Sequence, residues 1–109
     1  MARSAEYADF IKEMRRKFPP LLPTRIYFRS AKTMGKAIAD TDLILENKKP
    51  KSFVVRIQAN LPFSIGAHFL VHEWAHVISW TQEDHDTVEE HGPEWGLTNA
   101  RIYQEMIHP

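Results

Sequence analysis

The residues with the greatest capacity for chemistry are His72-Glu73-Trp74-Ala75-His76. In a helix, side chains four positions apart stand one turn above each other, so His72 and His76 can direct both imidazoles at one metal ion with Glu73 on the adjoining face. Imidazole nitrogen suits zinc, and a catalytic zinc site takes three protein ligands while leaving the fourth position to water. Glu73 would accept the proton of that water as it attacks a carbonyl, which makes hydrolysis the expected chemistry.

A third ligand must come from elsewhere in the chain, and the sequence after His76 offers several. One common arrangement, a His six residues on behind a Gly, is excluded because Ser79 and Gln82 hold those positions. His91 precedes Gly92-Pro93-Glu94-Trp95, where Pro93 suits the first position of a helix because its missing N–H costs nothing there. His91 thus falls at a loop-to-helix junction, a rigid place for a ligand. Glu94, in the first turn of that helix, would instead make a His-His-Glu set. Asp84, His85 and Asp86 lie in a stretch that could reach back, with nothing around them to fix their geometry. His68 is one turn before His72 on the same face. It reads as a cleft-lining residue, because a His68/His72 pair leaves Glu73 without its ordinary place between the ligands.

His72 to His76, followed fifteen residues later by His91-Gly-Pro-Glu-Trp95, resembles the two elements, HExxH and then H-G-x-x-(Phe/Trp), of SprT-like zinc metallopeptidases and of small related phage and bacterial zincins. The likeness rests on motifs over roughly the last fifty residues and on layout alone over the first sixty. It implies a zinc ion held by His72, His76 and His91, Glu73 as general base, a peptide or protein substrate, and a compact α+β zincin-like domain. The 109 residues contain no cysteine, so the four-cysteine zinc module of larger family members is not expected among them.

The composition agrees with such a domain. With 109 residues, 43% hydrophobic and 26% charged, the chain reads as one ordinary globular domain. It has no apolar run long enough for a membrane span and no secretory leader at Met1-Ala2-Arg3-Ser4, so a cytoplasmic location is expected. Without cysteine, any zinc must be held by His and carboxylate, as in catalytic sites.

The net charge of zero conceals a division: residues 1–60 carry thirteen Lys and Arg against six Asp and Glu, and residues 61–109 carry one against eight. A basic half could attract nucleic acid, as the family resemblance also suggests, but the basic residues are scattered. The favoured expectation is that the two halves pack together and largely neutralise each other.

The elements that must position the motif follow from periodicity. Tyr7, Phe10, Ile11, Met14 and Phe18 recur at helical spacing behind a Ser4 cap and before Pro19-Pro20. Thr24 to Arg29 predicts a strand, and Ser52 to Gln58, rich in β-branched residues, predicts another. Between them, residues 31–39 could form a weak helix, but Gly35 and Leu43-Ile44-Leu45 fit a meander better, and Asn47 to Lys51 reads as a turn. Asn60 is expected to cap the motif-bearing helix from about Pro62 to Trp80, and a last helix follows Pro93. The fold class expected is α+β: an N-terminal helix, a mostly antiparallel sheet of three or four strands, the HExxH helix and a C-terminal helix. Strand 52–58 would form the cleft edge along which an extended substrate adds. Tyr103 and Tyr27 are candidate transition-state donors, while Trp74, Trp80 and Trp95 read as packing residues. A zinc-binding module without catalysis is the rival reading.

Overall fold

The computed structural model describes residues 5–81 and 92–108. Ser4, Asp84, His85, Asp86 and His91 lie outside the described residues.

Helix α1 (Ala5–Lys17) forms where apolar residues recur at helical spacing, and Tyr7, Phe10, Ile11 and Met14 are the side chains it buries. Pro19 and Pro20 stop it, because proline lacks the N–H a helix needs. Strand β1 (Thr24–Arg29) follows. Both expectations for the next stretch hold in part. A one-turn helix α2 (Ala31–Met34) is capped by the Ser30 hydroxyl, which accepts from the Thr33 N–H at 3.1 Å. It ends at Gly35, whose φ of 65° suits a residue without a Cβ. The meander then begins with β2 (Ala39–Glu46) and returns as β3 (Lys49–Gln58).

The turn between them is shorter than the expected Asn47 to Lys51. Asn47 and Lys48 alone make it, with φ of 53° and 66°, the pairing that twists a two-residue hairpin correctly. Pro50 is therefore inside the strand, opposite Leu45, where a register irregularity at Ile44/Leu45 interrupts the ladder and tolerates a missing donor.

The protein is α+β, and its sheet has the order β1-β3-β2. β2 pairs antiparallel with β3, but β1 pairs parallel with it, so the sheet is mixed and the mostly antiparallel expectation is corrected. The reason is the α2 crossover. It carries the chain past the central position to the far edge, and the hairpin then brings β3 back between its neighbours. Strand 52–58 is consequently central and paired on both sides, so it cannot be a cleft edge. The edges of the sheet are β1 and β2.

Phe53, Val55 and Ile57 on β3 point to the covered face of the sheet and are completely buried. Helix α3 (Phe63–Ser79) packs on this face together with α1. Its N-cap is Pro62 without a side-chain cap, in place of the expected Asn60. The entry to α3 is secured from outside instead: the Tyr7 hydroxyl donates to the carbonyls of Leu61 and Pro62 at 2.8 and 3.2 Å. The Tyr7 ring crosses α3 where Gly66 stands, and a Cβ there would lie 1.7 Å from the hydroxyl oxygen. Further along, Trp74 is fully buried and its indole N–H donates to the Phe18 carbonyl at 3.0 Å. Burial of side chains of this size stabilises by about 1.5–3 kcal/mol each. Helix α4 (Pro93–Met106) begins with Pro93 in its first turn, as expected, and packs on α3. No helix among the described residues is long and apolar enough to cross a membrane.

Of the eight acidic residues of the second half only Glu73, Glu94 and Glu105 are among the described ones. Among the described residues Arg16 pairs with Glu13, Lys51 with Glu46, and Arg56 with Asp40 and Asp42, all within the first sixty positions. Lys17 with Glu105 is the one pair that crosses.

Candidate metal centre

Helix α3 buries Val71, Trp74, Ala75 and Val77 and leaves His72 and His76 half-buried on one side. Their ring centroids are 5.3 Å apart with planes at 68°, as the spacing of four predicts. Across from them stands Trp95 of α4, with its ring centroid 4.7 Å from that of His72 and 5.4 Å from that of His76. Its indole N–H donates to the His72 carbonyl at 3.2 Å, which ties the first turn of α4 to the middle of α3. Trp74 and Trp80 are core residues, whereas Trp95 is a wall of the imidazole pair.

Glu73 is only 6% exposed, and strand β2 supplies its partner. The Thr41 hydroxyl donates to Glu73 Oε1 at 2.7 Å, while Oε2 lies 3.9 Å from His72 Nε2. One carboxylate oxygen is therefore anchored to the sheet and the other faces the imidazole. Burial pushes the Glu73 carboxyl up from 4.5 to about 6; the Thr41 hydrogen bond opposes the rise and the negative charge of Asp40 adds to it. A carboxyl poised there is a proton acceptor near neutral pH.

The remaining sequence candidates are dispersed. Glu94 is exposed in the first turn of α4, and among the described residues no three His, Asp or Glu side chains gather into a ligand set. His68 is exposed on α3, one turn before His72, with its ring 5.4 Å from that of Tyr103. Tyr27 is on the far strand β1, in contact with Arg25 and Arg29, and cannot serve as a donor at Glu73. The donor set itself fits zinc: two adjacent imidazoles and a carboxylate held beside them suit a borderline metal in a catalytic site.

Two contributors escaped the sequence reading. Thr41 carried a signal, since strand alternation places Ala39, Thr41 and Leu43 on one face, and a hydroxyl in that apolar series calls for a partner. Trp95 belongs to the second motif, and its place against the imidazole pair follows only from the packing of α4 on α3. Comparison with protein-family models, with curated proteins and with solved structures gave no match.

Proposed function

We propose that the protein is a zinc-dependent peptidase in which His72, His76 and His91 hold the metal and Glu73 takes the proton of the attacking water. The observation that carries the proposal is the state of Glu73: buried, fixed through one oxygen by Thr41, and turned through the other toward the imidazole pair. Zinc, when bound, supplies Lewis-acid polarisation of the scissile carbonyl and a more acidic water. The chain's own residues do the rest. Glu73 accepts the proton on Oε2 and is suited by its raised pKa to return it to the leaving amine. Trp95 shields one side of the imidazoles from solvent. The place of Trp95 on the pair, four residues after His91 in the sequence, supports choosing His91 as the third ligand. An extended peptide would add along the outer edge of β2, which carries Thr41.

A zinc module without catalysis would need no buried, anchored carboxylate next to its ligands, so the Thr41–Glu73 pair favours the enzyme. Glu73→Gln separates the two readings. Zinc content and melting temperature are expected to stay close to wild type while hydrolysis of a pooled peptide library falls about a hundredfold or more, the scale of losing a positioned general base. Identical product profiles from wild type and variant would end the peptidase reading. For the ligand set, His91→Ala is expected to lose zinc far more than His85→Ala; retention by His91→Ala with loss in Glu94→Ala would replace His91 by Glu94. Running the peptide assay with and without DNA, and measuring salt-dependent retention on DNA, tests whether the basic half recruits nucleic acid.

A further inference from the structure

The sheet edge opposite β2 carries a second feature. A groove of about 620 Å³ runs between α1 and β1, with Ala8, Ile11 and Ile26 as an aliphatic floor and Lys12, Arg15 and Arg25 as its charged groups. Among the described residues no carboxylate lines it and none of these three cations forms an ion pair, in contrast to neighbouring Arg16, which is satisfied by Glu13. Arg15 is half-buried above the Trp74 ring, at 5.4 Å, a costly place for a cation without a counter-charge. On the outer face of β1, Arg25 donates to the Tyr27 hydroxyl and Arg29 stacks 4.3 Å over the Tyr27 ring, which holds both guanidiniums along the strand.

The main chain of β1 is equally directed. The carbonyls of Pro23 and Arg29 accept from the N–H groups of Phe53 and Ala59, at 2.9 and 2.7 Å. In a parallel ladder alternate residues bond to the same neighbour, so the odd-numbered residues of β1 face β3. Thr24 and Ile26 therefore turn their N–H and C=O groups outward, where no strand pairs with them among the described residues.

We propose that this edge binds an extended acidic peptide segment as a fourth strand of the sheet. The alternation of strand side chains would place apolar residues of the ligand on Ala8, Ile11 and Ile26 and carboxylates beside Arg25 and Arg29, with Lys12 and Arg15 at the rim. The site is separate from the metal centre, so it would hold a partner or a remote part of a substrate whichever reaction the other edge performs.

The test uses a fluorescent alternating Glu-Val peptide and the whole protein, read by anisotropy. The expected result is saturable binding that weakens with salt, falls about tenfold in Arg15→Gln and in Arg25→Gln, and is absent for an alternating Lys-Val peptide. N-methylation of alternate peptide residues, in one register only, should abolish binding, since it removes the donors that reach Thr24 and Ile26. Ile26→Pro should do the same from the protein side, and the methylated peptide decides the matter if that variant fails to fold. Three results would overturn the proposal: no binding of the Glu-Val peptide, indifference to N-methylation in both registers, or tighter binding of single-stranded oligo-dT that the same Arg substitutions weaken.

Discussion

The two edges of one three-stranded sheet differ in what they leave unfinished. At β2 the polar groups are coupled inward: Thr41 is committed to Glu73, and Asp40 and Asp42 to Arg56. At β1, Lys12, Arg15 and Arg25 line a groove to which no carboxylate among the described residues contributes. The lesson concerns charge. Among the described residues, strand pairing decides which charges of the sheet meet. Here Glu13, Asp40, Asp42 and Glu46 are spent locally, on Arg16, Lys51 and Arg56, while Lys12, Arg15 and Arg25 form no ion pair among the described residues.

That contrast can be broken at its inward-coupled edge, and the largest effect expected is on stability without metal. Glu73 has a folded-state pKa of about 6, above its ordinary 4.5, so the folded protein binds a proton more tightly than the unfolded chain. Its contribution is fully present below pH 4.5 and is lost as pH rises through 6, amounting to about 2 kcal/mol. The melting temperature of chelator-treated protein should therefore fall between pH 4.5 and 7. Zinc reverses the sign, because its ligands must be neutral imidazoles and acid releases it. Parallel melting curves with and without zinc that slope the same way would refute this coupling.

A smaller effect is expected from the anchor itself. Thr41→Val should lower kcat by about tenfold, the scale of one hydrogen bond to a charged group, with little change in KM, and Thr41→Ser should restore it. Equal loss in Val and Ser variants would show that Thr41 matters only for packing. The smallest effect lies at the hairpin that sets the β2 edge in register. Lys48 holds φ at 66°, so Lys48→Gly should raise stability by about 0.5–1 kcal/mol, readable as a higher urea midpoint at unchanged slope.

Much of the fold was legible because it is local. The stripe of Tyr7, Phe10, Ile11 and Met14, the β-branched run around Val55 and the HExxH helix each express a period that one segment carries alone. Pairing is not local. Nothing in Thr24 to Arg29 distinguishes a parallel neighbour from an antiparallel one, so the central place of β3 and the edge role of β2 had to come from the three-dimensional structure. The same limit applied to the site. Glu73 and its two histidines are one turn of helix, whereas the hydroxyl that fixes Glu73 stands 32 positions away in the chain. The helix start near Pro62 does without the expected Asn60 cap because the donor that secures it, Tyr7, belongs to a different helix.

The two contacts from the N-terminal segment to α3 also act mechanically. Tyr7 grips the helix at its entry and the Phe18 carbonyl holds Trp74 near its middle, so α3 is pinned at two points along its length and cannot roll about its axis. One residue of roll would swing each imidazole through about 100°, a quarter of a circle away from any shared target. Residues 5–18 thus work as a torsion stop for the imidazole pair, and loosening either contact, by Tyr7→Phe or Trp74→Phe, should blur the aim of the histidines before it melts the helix that carries them, read as weaker zinc affinity at a nearly unchanged helical signal.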